Sequence, residues 1–320
     1  MSSVEPTQSV SSAVIDVHHH VFPPAYIAAH RADILAISNG NTWGVEWTPE
    51  KSLREMDQAG VSKAILSISA PGVWFGDDQK ARSMARACNE YAAELVSRRP
   101  DRFGFFAAVP LPDVEGALAE SAYAMDHLGA AGVGVLTNYE GLYLGEEHFS
   151  RLFAELNGRK TAIFVHPTEC ACCAGAHMPM PSAFIELPFD TTRTAASLLF
   201  SKTLARFRDL RFIFSHGGGA LPMLAGRMGL WAFANPELME MFPQGLQPEL
   251  ARHYYDTVTI TSPPAIAALK AFAPPGQLLF GTDFPIGPLK PQLDAIGLFE
   301  FPDADHRGVT GANAASLLKL

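Results

Sequence analysis

The histidines in the segment IDVHHH at positions 15–20 have the spacing of metal ligands on a β-strand. Because alternate side chains of a strand point to the same face, His18 and His20 share a face and His19 points away from it. We expect Asp16 to be buried and hydrogen-bonded beside them. Two imidazoles can bind one metal ion but do not complete its coordination, so further ligands must come from elsewhere in the chain.

Eight short apolar segments, rich in β-branched and aromatic residues, alternate with helical patterns along the chain. They predict strands at 13–20, 63–69, 103–110, 132–139, 161–167, 211–217, 254–259 and 278–284. Helices are expected at 49–59, 78–98, 114–128, 146–157, 191–207, 221–231 and 264–273. Alternating strands and helices indicate parallel βα units, and eight of them predict an α/β fold of the closed (β/α)8 TIM-barrel type.

The candidate ligands all fall at the C-terminal ends of predicted strands, where barrel active sites are built. His18 and His20 end the first strand, His166 ends the fifth, His216 ends the sixth and Asp283 ends the eighth. Any one of these histidines could instead be a hydrogen-bonded residue of the barrel end. The five residues together indicate a metal centre on one rim of the barrel.

Two long segments after predicted strands lack a strong regular pattern. Residues 21–48 contain prolines and several aromatic side chains, and residues 168–190 contain cysteines and prolines. We expect both to be insertion loops over the C-terminal face of the barrel. Residues 1–12 are rich in serine and predict a disordered tail, which leaves residues 13–320 as a single barrel domain.

The bulk composition argues against several classes of partner. The formal net charge of −9 disfavours binding to nucleic acid, which requires a basic surface. No apolar run is long enough for a transmembrane helix, so no membrane partner is expected. No lysine or arginine precedes Arg31, whereas a secretory signal begins with a basic region. We therefore expect a cytosolic location.

The four cysteines do not have the pattern of a disulfide framework. Cys170, Cys172 and Cys173 are crowded together near His177, whereas Cys88 lies in a predicted helix. A structural zinc site usually has two separated pairs of ligands. We therefore interpret the cluster as reduced thiols of a loop and not as a second metal site.

The segments that carry the candidate ligands also form a set of motifs. IDVHHH at 15–20, VHP at 165–167, SHGGG at 215–219 and GTDFP at 281–285 follow one another along the chain. Together they resemble the amidohydrolase superfamily over nearly the whole sequence. The most similar branch contains the aminocarboxymuconate-semialdehyde decarboxylases and the ortho-hydroxybenzoate decarboxylases. The segments TNY at 137–139, PFDTTR at 188–193 and LFGTD at 279–283 most resemble the 6-methylsalicylate decarboxylases within it.

The resemblance implies one divalent metal ion, held by His18, His20, His166 and Asp283. Three imidazoles and a carboxylate suit Zn²⁺, the first candidate, and they also suit Mn²⁺. Many members of the superfamily bind two ions that are bridged by a carboxylated lysine at the end of the fourth strand. The predicted fourth strand, GVGVLTNY, contains no lysine, so a single ion is expected.

The resemblance also implies roles for residues near the metal. Asp283 would donate a proton to the substrate ring, and His216 would hydrogen-bond the substrate or relay the proton. Arg227 would reach the substrate carboxylate of a neighbouring subunit, which implies a homodimer. Arg193 is a second candidate for binding the carboxylate. Both arginines could instead form surface salt bridges.

Four aromatic residues near predicted strand ends could form a pocket for a flat ring. Each could equally pack in the core beneath a loop, but as a group they favour a small aromatic carboxylic acid as the substrate. The four residues are Phe22, Trp74, Phe189 and Phe284.

Three functions are compatible with these residues. The first is a metal-dependent, non-oxidative decarboxylase of an ortho-hydroxybenzoate, with 6-methylsalicylate as the best candidate and 3-methylphenol (m-cresol) as its product. The second is a metal-dependent hydrolase of an amide or lactone that uses a metal-activated water, with His216 as the base. The third is a barrel that binds an aromatic acid without catalysis. The ligand set alone does not choose between the first two, and its completeness disfavours the third.

Overall fold

The strands form a barrel of eight parallel strands and one small hairpin. The computed structural model of the chain describes residues 13–170, 173 and 180–320. The ten strands are β1 (Ile15–His20), β2 (Lys63–Ser67), β3 (Phe103–Ala108), β4 (Gly132–Leu136), β5 (Asn138–Tyr139), β6 (Leu142–Tyr143), β7 (Ala162–His166), β8 (Arg211–Phe214), β9 (Tyr254–Asp256) and β10 (Leu278–Leu279). Strands β5 and β6 pair antiparallel, and the other eight are hydrogen-bonded in chain order, which confirms the predicted (β/α)8 barrel.

Backbone hydrogen bonds between the first strand and the segment after the last strand close the barrel. Asp283 N donates to His18 O at 2.8 Å, and His20 N donates to Phe284 O at 2.7 Å. Closure therefore places Asp283 directly beside the two histidines of β1, although 263 positions separate it from His20.

A β-bulge in β1 determines which of its side chains face the barrel axis. The pairing of β1 with β2 shifts between Asp16 and His19. Val17 and His18 lie within this shifted stretch: Val17 packs in the barrel interior, and His18 converges with His20 above that interior. A bulge disrupts the ladder of backbone hydrogen bonds locally. Here Asp16 Oδ1 accepts a hydrogen bond from His18 N at 3.0 Å, so the displaced amide stays paired.

Apolar side chains fill the barrel below the histidines. Val17, Phe106, Phe164 and Ile213 form this inner core, and Leu318 near the C-terminus packs against it. A larger apolar core lies between the strands and the surrounding helices. Because the barrel interior is packed, the polar cluster opens only towards the C-terminal ends of the strands.

The helices surround the barrel and follow the strands in the order expected. They are α1 (Pro24–Ile37), α2 (Pro49–Ala59), α3 (Asp78–Arg98), α4 (Val114–His127), α5 (Ser150–Gly158), α6 (Glu186–Phe200), α7 (Thr203–Arg206), α8 (Leu221–Phe233), α9 (Pro236–Met241), α10 (Leu246–Ala251), α11 (Pro263–Phe272), α12 (Leu289–Ile296), α13 (Asp303–Arg307) and α14 (Asn313–Leu318). Helices α2 and α3 have the predicted bounds, because Thr48 and Asp77 cap their first turns.

The segment 21–48 is more regular than the sequence pattern predicted. Helix α1 occupies half of it and begins at a proline, which suits the first position of a helix. Tyr26 is buried on this helix, and its hydroxyl donates to Gly72 O at 2.7 Å. The prediction that this segment covers the C-terminal face is confirmed, because Ile37 and Trp43 line the cavity above the histidines.

Several predicted bounds are wrong. The strands predicted at 211–217, 254–259 and 278–284 end earlier, at Phe214, Asp256 and Leu279, so His216 and Asp283 follow their strands and do not end them. The fourth barrel strand ends at Leu136 and not at residue 139, because the chain turns there into the β5–β6 hairpin. The helix predicted at 191–207 begins earlier, as α6, and is interrupted before α7 by Lys202, whose φ of 70° is left-handed. The predicted tail at 1–12 lies outside the described residues. Within the described part of the chain, no helix is long and apolar enough to cross a bilayer.

Candidate metal centre

Four buried side chains converge at the C-terminal mouth of the barrel. They are His18 and His20 of β1, His166 of β7 and Asp283 after β10, and one ligand atom of each lies within 4.8 Å of the others. Asp283 Oδ1 is 2.8 Å from His20 Nε2 and 3.1 Å from His18 Nε2. Atoms that each lie about 2 Å from a common ion are separated by about 3 Å, so these spacings fit one metal ion.

The second ring nitrogen of each histidine is hydrogen-bonded, which fixes the direction of the first. The pairs are His18 Nδ1 with Asp256 Oδ2 at 2.7 Å, His20 Nδ1 with Ser67 O at 3.4 Å and His166 Nδ1 with Pro167 O at 2.8 Å. An imidazole that donates through Nδ1 presents the lone pair of Nε2 to a metal. His166 Nε2 is buried and has no hydrogen-bond partner among the described residues. An ion at the centre of the cluster would satisfy this nitrogen, so the residues present fit a divalent metal.

The charged groups of the cluster shift one another's pKa values. Burial alone lowers the pKa of His18, but the Asp283 and Asp256 carboxylates raise it to about 10. Burial lowers the pKa of His20, and it lowers that of His166 to about 3. Burial alone raises the pKa of Asp283, but the histidines, His18 first, hold it well below its usual range. The cluster therefore favours an ionised carboxylate and two neutral imidazoles, the forms that bind metals.

Asp256 at the end of β9 belongs to the site, although the sequence interpretation did not include it. Its carboxylate is fully buried. Oδ2 contacts His18, while Oδ1 accepts from His216 N at 2.7 Å and from Val258 N at 3.1 Å. A signal was present in the sequence, because Asp256 is a carboxylate inside the predicted seventh strand at 254–259, and the strand itself ends at Asp256.

His19 lies on the outer side of β1, away from the metal ligands. Its Nδ1 is 3.0 Å from Asp16 Oδ2, its Nε2 is 2.9 Å from Ser52 Oγ of α2, and its ring stacks on Phe284. Asp16 is fully buried and also accepts from Thr282 Oγ1 at 2.6 Å. This pair joins β1 to the segment that carries Asp283, so it supports the metal centre from outside the barrel.

His216 reaches the cluster from the loop after β8. Its Nε2 lies 3.5 Å from Asp283 Oδ2. Both residues have a left-handed backbone conformation, with φ of 54° for His216 and 63° for Asp283. Residues other than glycine adopt this conformation mostly at functional sites. The glycines after His216 allow a close approach, because a Cβ on Gly219 would lie 1.9 Å from Pro188 O.

A cavity of about 500 Å³ opens above the cluster. His166, His216 and Asp283 line its polar side. Its other walls are largely apolar and include Ile37, Trp43, Phe184, Leu187 and Ile286. No lysine or arginine lines it within the described part of the chain. The cavity therefore combines a metal-competent floor with apolar walls, which suits a small flat ligand.

The four aromatic residues proposed from the sequence lie outside this cavity. Phe22 and Phe284 are buried in the core. Trp74 lines a neighbouring cavity of about 650 Å³, and Phe189 is partly exposed on α6 without lining either cavity. Proximity to a strand end therefore did not identify most of the walls, which come from α1, the turn after it, the segment 183–188 and the segment after β10.

The two arginines also lie outside the cavity. Arg227 is exposed on α8. Arg193 Nη1 lies 3.7 Å from Asp190 Oδ1, and its Nη2 donates to Cys173 Sγ at 3.9 Å. Neither arginine is among the described residues that line the cavity.

The cysteine cluster borders the neighbouring cavity and is only partly described. Cys170 and Cys173 line that cavity. Cys173 Sγ donates to Glu186 Oε2 at 2.8 Å. Cys172 and His177 lie outside the described residues. Among the residues that are described, the cluster at His18 is the one group with the geometry of a metal site.

The amidohydrolase family matches residues 15–320, the whole of the barrel. The chain belongs to the amidohydrolase family. A 6-methylsalicylic acid decarboxylase of Aspergillus aculeatus is 39% identical over 285 residues, which are 86% of this chain and 84% of that protein. A 6-methylsalicylic acid decarboxylase of Penicillium expansum is 34% identical over 313 residues, covering 95% of this chain and 96% of that protein. These relatives confirm the prediction of a decarboxylase within this amidohydrolase family.

A solved structure supports the same fold for this amidohydrolase. The dihydroxybenzoic acid decarboxylase of Polaromonas sp., which holds manganese and the inhibitor 2-nitroresorcinol, has a TM-score of 0.80 with 20% identity over 97% of both chains. At that identity the match establishes the shared barrel and not a shared substrate.

Proposed function

We propose that this amidohydrolase decarboxylates an ortho-hydroxybenzoate, with 6-methylsalicylate as substrate and 3-methylphenol and carbon dioxide as products. The observation that carries the proposal is a buried set of metal ligands that opens into an apolar cavity of about 500 Å³. The substrate has oxygen atoms along one edge of a flat ring and an apolar remainder, so it matches this polar floor and these walls. The relatives from Aspergillus aculeatus and Penicillium expansum support the choice of substrate.

One divalent ion would be held by His18, His20, His166 and Asp283. Zn²⁺ remains the first candidate, and the manganese in the Polaromonas decarboxylase supports Mn²⁺ as the alternative. When bound, the ion supplies a positive centre that orients the adjacent phenol and carboxylate oxygens of the substrate.

The chain's own side chains supply the proton that replaces the carboxylate on the ring. Asp283 Oδ1 faces the imidazoles of β1, whereas Oδ2 lies 3.5 Å from His216 Nε2. We assign Oδ2 as the atom that carries the proton to the ring carbon, and His216 as the group that relays it from solvent. As the new C–H bond forms and the C–C bond breaks, the electron pair of the broken bond returns to the ring and carbon dioxide leaves.

The environment of Asp283 changes when an anionic substrate enters. The histidines lower the pKa of Asp283 in the free site. A substrate carboxylate in the same cavity is a like charge, which raises that pKa and favours the protonated form needed for donation. The apolar walls strengthen this effect because they exclude water.

We also propose that two copies of the chain form a homodimer through α8. Four large apolar side chains on this helix are between 63% and 80% exposed: Met223, Leu230, Trp231 and Phe233. Such a concentration of exposed apolar surface marks an interaction site. Arg227 lies on the same helix, and the described lining of the cavity includes no lysine or arginine. A second copy that presents Arg227 would supply this missing cation.

One assay tests the proposed function. The metal-loaded protein is incubated with a panel of salicylates, and carbon dioxide release is followed together with the phenolic product. Release from 6-methylsalicylate, with 3-methylphenol in equal amount, is the expected result. No release from any salicylate, together with hydrolysis of a lactone or an anilide, would establish the hydrolase instead.

A further inference from the structure

Asp190 of α6 is fully buried but belongs neither to the metal ligands nor to the lining of the cavity. Three neutral groups donate hydrogen bonds to its carboxylate, and the guanidinium of Arg193 lies 3.7 Å from its Oδ1. Tyr143 OH donates to Oδ1 at 2.6 Å, Asn138 Nδ2 donates to Oδ2 at 2.8 Å, and Thr137 Oγ1 also donates to Oδ2. A buried carboxylate is costly unless such donors surround it, so the arrangement holds α6 against the segment after β4.

The donors of this network stay protonated. Burial raises the pKa of Tyr143 well above its ordinary value, and its hydrogen bond to Asp190 raises it further. Because Tyr143, Asn138 and Thr137 all present hydrogens, only a group with several acceptor lone pairs satisfies them together. Asparagine at position 190 would offer one oxygen and would turn its amino group towards a donor.

The first turn of α6 connects this network to the cavity. Leu187 and Pro188 of that turn line the cavity. A second anchor lies one turn further on, where Thr192 Oγ1 donates to Pro188 O at 3.0 Å and accepts from Ala220 N at 2.8 Å. The turn is therefore held by Asp190 on one side and by the His216 loop on the other.

We propose that Asp190 is a positioning residue that sets the width of the aryl cavity by fixing the first turn of α6. The inference rests on the proposed function for the identity of the ligand. It assigns a role to two segments, TNY at 137–139 and PFDTTR at 188–193, that the metal chemistry does not use. In the folded chain they meet at the Asp190 carboxylate.

The test compares Asp190→Asn with the wild-type enzyme, each loaded with the same metal. We expect KM for 6-methylsalicylate to rise about tenfold while kcat changes much less, since an unpaired buried donor displaces the wall and not the ligands. Metal content per chain is expected to stay constant. The preference for 6-methylsalicylate over salicylate, which lacks the methyl group, is expected to fall.

Two further variants distinguish a change in the cavity from a general loss of stability. Thr194→Val lies on the same helix and removes a buried hydroxyl that has no hydrogen-bond partner among the described residues, so its kinetic constants are expected to match the wild type. Tyr143→Phe removes one donor and is expected to raise KM in the same direction by a smaller factor. Wild-type KM and substrate preference in both Asp190→Asn and Tyr143→Phe, with only a lower melting temperature, would overturn the proposal.

A binding measurement separates this inference from the proposed function. If the wild-type protein decarboxylates no salicylate, the proposed function fails, and calorimetric titration of the metal-loaded protein with salicylate then decides the role of Asp190. A dissociation constant that rises in Asp190→Asn but not in Thr194→Val supports the inference. An unchanged constant, or no binding to the wild type, overturns it.

Discussion

Asp256 Oδ2 lies 2.7 Å from Nδ1 of His18, and both side chains are fully buried. The other oxygen of the same carboxylate accepts from the backbone N–H of His216 at 2.7 Å. One side chain thus orients both a candidate metal ligand from β1 and the loop that carries the proposed proton relay. Carboxylates in this position fix the tautomer and the direction of a ligating imidazole.

Replacement of Asp256 by asparagine is expected to weaken metal binding. Its three partners, the His18 ring and the backbone N–H groups of His216 and Val258, are all donors in the metal-binding state. The amide has only one acceptor oxygen, so either His18 or the His216 loop loses its support. Loss of such a partner typically lowers metal affinity or activity by about 10- to 100-fold. Titration of the metal-free protein with Zn²⁺ and with Mn²⁺ measures the change. Wild-type affinity for both ions would show that Asp256 does not orient His18.

The two adjacent histidines of β1 offer a matched pair of variants. His18→Ala removes a metal ligand, so the purified protein is expected to lose its bound metal and its activity. His19→Ala leaves the candidate ligands in place but removes one hydrogen-bond partner each from Asp16 and Ser52, which is expected to lower the free energy of unfolding by about 1–3 kcal/mol. Metal content by mass spectrometry and unfolding in urea distinguish them. Loss of metal from His19→Ala but not from His18→Ala would reverse the assignment.

Asp283→Asn is expected to abolish decarboxylation even when the metal site is filled. The variant keeps an oxygen that can face the ion, but the amide cannot carry the proton that the ring carbon needs. Turnover must be measured at a metal concentration that restores full occupancy, with bound metal quantified in the same sample. Full turnover in the metal-loaded variant would exclude Asp283 as the proton donor.

The convergence of the candidate metal ligands could be predicted from the sequence because their chemistry and their position near strand ends coincide. Histidine pairs with alternate spacing and carboxylates are rare in apolar strand segments, so they stand out in the sequence. The barrel places the C-terminal ends of all its strands on one rim, so such residues are expected to meet there. Asp256 carries the same signal but was missed, because it stands three residues before the predicted end of its strand. The bulge in β1 could not be predicted, since it depends on pairing between distant strands.

The walls of the cavity were not predictable from the same signals. Trp43 and Phe184 reach the cavity from segments between barrel elements, where periodicity says little about which way a side chain points. Phe22 and Phe284 lie closer in sequence to the ligands, yet both are buried in the core. Distance from a strand end therefore predicts which side chains of the strands reach the site. It does not predict which side chains of an inserted helix or turn reach the cavity.

His253 makes the folded state sensitive to acid independently of the metal ligands. It is fully buried near Phe212 and Phe214, and neither ring nitrogen has a hydrogen-bond partner among the described residues. Burial lowers its pKa well below the usual value, and Arg252, Arg211 and Arg208 lower it further. The unfolded chain therefore binds a proton that the folded chain excludes, so stability is retained above a pH of about 6.5 and is lost as the pH falls below it.

His253→Phe is expected to remove this loss of stability at acid pH. The wild type should lose up to about 1.4 kcal/mol per pH unit below 6.5 through this residue, and the phenylalanine variant should show a correspondingly shallower slope. Urea unfolding at several pH values between 5 and 7.5 gives the slopes, with the exposed His127→Gln as the control. Equal slopes in wild type and His253→Phe would contradict the assignment.

Arg227 provides a test of the homodimer that a single variant cannot give. Arg227→Ala is expected to raise KM, because the substrate carboxylate loses a cation from the neighbouring chain. His166→Ala is expected to be inactive, because its own metal site lacks a ligand.

The two variant proteins are then mixed and allowed to exchange subunits. In a heterodimer, the Arg227→Ala chain has an intact metal site, and that site receives Arg227 from the His166→Ala chain. Activity above the sum of the separate proteins is the expected result. If native mass spectrometry shows that the heterodimer has formed and there is no gain in activity, Arg227 lies outside the neighbouring site.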